Sequence, residues 1–382
     1  MRKTLTFLAL AVGVVAAPAA RADIVIGFVT SLSGNGSSIG IPYGRGINAA
    51  YEYKKTINGE TIRLIQLDDG SDPSAATRNA RKLVEEEKVD LLIGTATAPS
   101  TIAMAAVASE LKVPMIAVSP IGKLPDAPEQ WVVSVPQPAS LLVKIVADRM
   151  KRDGMKNIGY IGFSDAWGDL VYNGAKAAEA AGEIKIQSNE RYARTDTSVT
   201  AQILKVLAAR PDAVLDGGSG TQGALPLLSL ADRGFKGNTY GTVALVNPDF
   251  VNVGGKAADG IQVSAGPVIV AEQLPDEHFA KKIALDFRTV YQKVHNVPTT
   301  DGFSAYSFDA WLIFANAAER ALKTAKPGTV EFRAALRDAI LSTKELPGVH
   351  AVYNFKPGSV TGVDERSLVV VRLTGGAWKY AP

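Results

Sequence analysis

Short apolar runs and longer segments of helical spacing alternate along this chain. Ile24–Thr30 is nearly continuous in apolar and β-branched residues, the pattern of a strand buried on both faces. Helical spacing follows over Gly44–Thr56, with Ile47, Ala50, Tyr51 and Lys54 on one side. Thr61–Leu67 alternates as a strand. Asp72-Pro73-Ser74 then sets a capping acid before a proline, and Ala76, Ala80, Leu83 and Val84 form the apolar stripe of the helix it opens. Strand Val89–Ile93, helix Ser100–Leu111 and strand Val113–Val118 continue the series. The cycle restarts with strand Asn157–Gly162, helix Gly168–Ala181, strand Ile184–Tyr192, helix Ser198–Ala209, strand Ala213–Leu215, helix Gln222–Arg233 and strand Thr239–Val243. Asp276–Lys293 and Ser304–Leu322 are two further helices.

Such alternation predicts parallel sheets with helices on both faces. Glu87–Gly94 and Ala209–Gly217 share an order of helix end, Asp, buried strand and Gly-rich turn, so the chain reads as two similar α/β lobes. A chain of 382 residues exceeds the size at which a single core stops growing. Crossings between lobes are expected near Val133–Pro138, Ser264–Pro267 and Gly348–Val352. They assign residues 23–135 and 266–347 to lobe 1, and residues 136–265 and 348–382 to lobe 2, with a cleft between them.

The first 22 residues stand apart. Arg2 and Lys3 precede an apolar run from Leu5 to Ala17, followed by Pro18 and Ala20-Arg21-Ala22. A basic start, a short apolar middle and a small-x-small end predict a secretory signal. The apolar run is shorter than the roughly 20 residues of a spanning helix. Three of the 41 basic residues lie in this segment, which has no acid, so the remainder balances the 38 acidic residues. The balance gives no reason to expect a nucleic-acid or anionic-membrane partner. There is no cysteine, which excludes thiol catalysis, Cys-ligated metal and a lipidated N-terminal Cys. His278, His295 and His350 are the only histidines and are scattered. No cofactor or metal is expected, and no enzymatic activity.

Gly218-Ser-Gly-Thr-Gln-Gly223 spells a dinucleotide fingerprint after a strand, but the following strand ends Tyr240-Gly-Thr-Val-Ala244 without the acid that would bind a ribose. A tight turn with its amides at the lobe's rim is the better reading. Asp68-Asp69-Gly70-Ser71-Asp72 begins like a calcium loop, yet Asn79 stands where that loop needs Glu, so a polar turn capping the next helix is expected. No G-x-S-x-G or H-E-x-x-H motif occurs. What remains are hydroxyl-rich loops beyond strand ends: Ser31–Ile39, Thr95–Thr101 and Ser119–Gly122. Ligands of parallel α/β sheets sit there, and free amides at helix starts suit a carboxylate.

With these pieces in order, the chain resembles the periplasmic substrate-binding proteins of ABC transporters, in the branched-chain amino acid receptor (Leu/Ile/Val-binding) family. The resemblance rests on Ile26-Gly-Phe-Val-Thr-Ser-Leu-Ser-Gly34, Gly44-x-Gly46, Asp68-Asp69 with Pro73-x-x-Ala76, and Leu92-Ile-Gly94. Val113-Pro-Met-Ile116, Asp165-Ala-Trp-Gly168 and Tyr306-Ser-Phe-Asp309 complete it. It implies a type I periplasmic binding fold: two doubly wound lobes, three crossovers and a cleft that closes on a small molecule. It also implies a periplasmic location, a permease partner in the inner membrane and no covalent chemistry. A monomer is expected.

Residue by residue, the resemblance places the hydroxyls that hold an amino acid's carboxylate near Ala98, flanked by Thr97 and Pro99, and near Ser119. Ser38 is a further candidate in the first loop. The acid that pairs with an ammonium falls at Val243, and no acid stands within two residues of it. An unpaired buried ammonium costs several kcal/mol. Trp167 stands where the family carries Tyr, and Ile39 where amino-acid binders carry an aromatic. With Val243 and Tyr306 these make an apolar wall. The expected ligand is therefore a small carboxylic acid without an amine, foremost a benzoate, hydroxybenzoate or cinnamate. The alternatives are an amino acid or amide receptor whose ammonium partner is Asp165 or Asp301, and a sensing module for a membrane receptor.

Overall fold

Two sheets, each dominated by parallel pairs, order the chain. A computed structural model describes residues 23–299 and 301–382. The leader assigned to residues 1–22 lies outside the described residues. The first sheet comprises β1 (Ile24–Thr30), β2 (Thr56–Ile57), β3 (Glu60–Asp68), β4 (Leu91–Gly94), β5 (Met115–Ala117) and β6 (Val132–Ser134), in the order β2-β3-β1-β4-β5-β6. Central β1 runs parallel to both β3 and β4, pairing Ile26 with Leu64 and Leu91. It is buried along nearly its whole length, as its β-branched run requires.

The second sheet begins with β7 (Asn157–Phe163), β8 (Lys185–Tyr192), β9 (Ala213–Gly217), β10 (Asn238–Thr242) and β11 (Gln262–Ala265). After a small hairpin of β12 (Leu346–Pro347) and β13 (Val352–Tyr353), it ends with β14 (Val369–Thr374) and β15 (Ala377–Tyr380). The order is β15-β14-β11-β10-β9-β7-β8, and β14 and β15 join antiparallel.

On the first sheet lie α1 (Ser37–Tyr53), α2 (Pro73–Glu85) and α3 (Ala98–Glu110). The second sheet carries α4 (Ala139–Arg152), α5 (Ala166–Ala180), α6 (Thr200–Ala208), α7 (Ala224–Asp232) and α8 (Pro248–Ala258). The chain then returns: α9 (Lys281–His295) and α10 (Phe303–Ala321) pack on α1, and α11 (Val330–Leu341) on α10. The last passage lies between Thr361 and Val369. Up to that point the chain stays beside β6, where Ser134 N donates to Val360 O at 2.8 Å. Two lobes and three passages result, but the third falls after Thr361 and not near Gly348–Val352 as expected, because the backbone up to Thr361 stays paired beside β6.

Helix α1 starts seven residues before the apolar spacing becomes regular. Gly40 permits this: a Cβ there would lie 2.0 Å from the Ser31 carbonyl oxygen, so only glycine lets the helix press against the turn after β1. Asp72 caps α2 as read from the sequence, accepting from Ser74 N at 2.6 Å. In α4, Leu142, Val143, Val146, Ala147 and Met150 form the buried stripe.

One core group is electrostatically unfavourable. Asp216 on β9 is 1 % exposed, accepts from Gly218 N at 2.7 Å through Oδ1, and has no partner for Oδ2 among the described residues. Burial pushes its carboxyl from the ordinary 3.8 up to about 8. Between those values the folded chain holds a proton that the unfolded chain releases. This contribution to stability is therefore complete below pH about 4 and declines as pH rises toward 8. Asp216→Asn removes the titration. The melting temperature of the variant relative to wild type is expected to climb from pH 5 to pH 8, read by calorimetry. A difference that stays flat, or shrinks with rising pH, contradicts a proton-holding Asp216.

Candidate functional site

The carboxyl ends of both sheets face each other, and their loops build the site. In lobe 1 the Asp68-Asp69 pair ties those loops together. Asp68 accepts from Leu32 N at 2.8 Å and Ser33 Oγ at 2.6 Å, which holds its carboxyl below the usual range despite partial burial. Asp69 accepts from Ser31 Oγ at 2.7 Å, Ser71 N at 2.8 Å and the Thr95 hydroxyl. The Asp68–Asp72 segment is thus a polar turn that fixes three loops, and no group of three or more His, Asp or Glu able to hold a metal occurs among the described residues. Thr97 caps α3, accepting from Ser100 N at 3.4 Å, Thr101 N donates to Thr97 O at 2.9 Å and Pro99 has no N–H, so of the first four residues of that helix only Ala98 keeps an N–H without a partner among the described residues.

In lobe 2 the loop after β7 meets the loop after β8. Asp165 caps α5 through Oδ1, accepting from Trp167 N at 2.9 Å and Gly168 N at 3.3 Å. Its Oδ2 takes Arg194 Nε at 2.6 Å. Arg194 Nη1 donates to Ser219 Oγ at 3.0 Å, and the guanidinium lies 4.1 Å over the Phe163 ring. The Arg194 side chain is 14 % exposed. Two of its five N–H groups are thereby occupied, and Nη2 makes no hydrogen bond among the described residues. Trp167 sends its indole N–H to Gly218 O at 3.0 Å and stands 4 % exposed at the start of α5.

Between these surfaces is a narrow cavity with about 420 Å³ of space between atoms. The lobes touch over it: Thr221 N donates to Ser38 Oγ at 3.3 Å across the cleft. Gly220 beside it has φ +57°, and a Cβ there would stand 2.4 Å from Ser38 Oγ. The G-x-G-x-x-G stretch is therefore a closing edge of lobe 2. A wider groove with about 1720 Å³ of space between atoms lies between α3, α5 and the loop after β5. It lacks the strand ends and enclosed walls that mark a ligand site in sheets of this kind.

Of the residues singled out from the sequence, Ile39, Thr97, Ala98, Ser119, Trp167, Val243 and Tyr306 line the one cavity. Ser38 instead takes part in the contact between lobes, and Pro99 points no surface into the cavity. The two acids considered for an ammonium are committed elsewhere. Asp165 pairs with Arg194, and Asp301 accepts from Phe303 N at 2.8 Å and Ser304 N at 2.7 Å at the start of α10, beside a different hollow. Sequence reading missed Arg194, Ser219, Tyr43 and Phe303 in the lining. For Arg194 one signal was present: it lies just beyond the end of a strand, where ligand loops begin. Arg194 is the only charged residue lining the cavity among the described residues.

Comparisons with known proteins agree with this architecture. A family model described as periplasmic binding protein matches residues 23–376. The solved structure of Rp1789 from Rhodopseudomonas palustris (strain CGA009) is 40 % identical, with a TM-score of 0.89 over 94 % of this chain and 100 % of that one. A Leu/Ile/Val-binding protein from Rhizobium johnstonii, BraC3, is 27 % identical over 344 residues, 87 % of each chain. An ABC-transporter solute-binding protein of R. palustris, solved in complex with benzoate, shares the fold at 21 % identity, with a TM-score of 0.77 over 94 % of this chain and 95 % of that one. With the match spanning both lobes and the cleft built as described, this chain belongs to the periplasmic binding protein family.

Proposed function

We propose that this chain is a periplasmic receptor that closes on a small carboxylic acid, foremost an aromatic one, and presents it to the permease of an ABC importer. The observation that carries the reading is the cavity's single charge, the Arg194 guanidinium, in a lining without any acid. A carboxylate can take the free N–H groups of Nη2, a charge-assisted pairing stronger than a neutral hydrogen bond. Ser119 and Ala98 line the cavity from lobe 1. Val243 and Ala244 stand where an amino-acid binder would need its acid, so a zwitterion would bury its ammonium unpaired. Trp167, Tyr43 and Phe303 supply flat aromatic surface for a ring. The related protein solved with benzoate shows that this fold accommodates such an acid.

In the mechanism we infer, the acid docks on one open lobe and the other swings over it. Closure seats Thr221 against Ser38 and removes the ring from water. A ligand that bridges both lobes shifts the population toward the closed state by its differential affinity alone.

Benzoate, cinnamate and their ring-substituted forms are expected to raise the melting temperature, and leucine, valine and glutamate are not. Stabilisation by leucine with none from the aromatic acids overturns the proposal. Arg194→Met, which keeps the stem and removes the charge, is expected to weaken benzoate binding about 10- to 100-fold, the loss of a charge-assisted pair. Calorimetric titration reads this, with circular dichroism confirming the fold. Undiminished affinity would take Arg194 out of the site. Gly220→Ala presses a methyl onto Ser38 and is expected to weaken every ligand about tenfold while leaving the radius of gyration larger in saturating ligand than wild type. Equal compaction of variant and wild type in small-angle scattering contradicts the closing role.

A further inference from the structure

Besides Arg194, Thr97, Ser119 and Ser219, the polar side chains in the cavity lining are two tyrosines, Tyr43 and Tyr306. Tyr306 OH donates to Gln137 Oε1 at 2.5 Å, tying α10 to the first passage between lobes. Tyr43, on α1 in lobe 1, packs edge-on to Phe303 with ring centroids 5.5 Å apart. It lines the cavity, is 2 % exposed, and its hydroxyl makes no hydrogen bond among the described residues. Buried tyrosine hydroxyls ordinarily find a partner, and leaving one without costs about 1–3 kcal/mol. The nearest candidates are otherwise engaged: Asp301 serves the amides that open α10, and Tyr306 has spent its proton on Gln137. Phe303, packed against its ring, offers no polar atom from its side chain.

We propose that Tyr43 is a specificity-determining residue that hydrogen-bonds a ring hydroxyl, so that the preferred ligands are phenolic acids rather than unsubstituted aromatic acids. The inference rests on the reading of the cavity as a carboxylic-acid site. With the carboxylate on Arg194 in lobe 2, the opposite end of a flat acid reaches Tyr43 in lobe 1. A phenol oxygen can accept the Tyr43 proton and donate its own to the Tyr306 oxygen, which retains lone pairs. An acid with a bare ring leaves Tyr43 buried and unpaired, and the closed state is penalised for that ligand alone. Tyr43 thereby converts a ring substituent into closure of the cleft.

The test is a cycle of two ligand pairs and two proteins. Benzoate with 4-hydroxybenzoate, and cinnamate with 4-hydroxycinnamate, are titrated calorimetrically into wild type and Tyr43→Phe. That substitution keeps the ring against Phe303 and removes only the hydroxyl. Wild type is expected to bind the hydroxylated member of at least one pair about tenfold more tightly, and Tyr43→Phe is expected to erase that preference while binding the parent acid as well as wild type does or better. Equal affinity for both members of each pair in wild type overturns the role of Tyr43 and leaves the carboxylic-acid reading standing. A hydroxyl preference that survives in Tyr43→Phe also overturns it, since another group then reads the ring. Failure of all four acids to bind wild type removes the carboxylic-acid reading itself. Melting of unliganded Tyr43→Phe at or above the wild-type temperature confirms that the variant remains folded.

Discussion

A fixed cation in a dry crevice is the constraint on which the rest of this molecule depends. Arg194 reaches the cavity because Asp165 holds its Nε, Ser219 its Nη1 and Phe163 its face. Asp165 does two tasks with one carboxylate: Oδ1 opens α5, and Oδ2 orients the guanidinium. The arrangement meets the desolvation cost of a partly buried charge with an ion pair, and still leaves the outer N–H groups free for a carboxylate. It also consumes the acid nearest the cavity, so no counter-charge remains for an ammonium. In the proposed function, anion preference and zwitterion exclusion both rest on this pair.

The fold supplies the setting. Parallel strands end on one side of each sheet, and three passages let the two sets of ends face each other. Lobe 1 brings hydroxyl-bearing loops fixed by Asp68 and Asp69. Lobe 2 brings the cation and the indole. Ser38 against Thr221 sets how near they come, and Gly220 is the residue whose missing side chain allows it.

Much of this was legible in the sequence, and the reasons are physical. Ile24–Thr30, Asn157–Phe163 and the capped helix after Asp72 announce themselves because burial on both faces and capping both leave local signatures. Thr97, Ala98 and Ser119 were found because loops beyond buried strands have a predictable place, whereas Tyr43 and Phe303 lie within helices and carry no such signal. Helix α4 went unread, although its apolar stripe is regular, because the prolines at Pro136 and Pro138 suggest only a boundary. Strands β14 and β15 escaped because they join antiparallel and break the strand–helix alternation. Arg194 was invisible as a site residue because its partners are distant in the chain: Asp165 lies 29 residues before it and Ser219 lies 25 after. Only the pairing of β7 with β8 and β9 brings them together. Ser38 illustrates the converse. Its loop was placed correctly, but whether its hydroxyl faces a ligand or the other lobe depends on closure, which has no local signature.

A crystal structure of the protein grown with benzoate tests the central claim most directly. The account requires the carboxylate within hydrogen-bonding distance of the Arg194 outer nitrogens, with the ring between Trp167 and the α1 wall and both lobes shut over it. Density showing the carboxylate turned away from Arg194, or a co-purified amino acid with its ammonium on a protein carboxylate in this cavity, would contradict it.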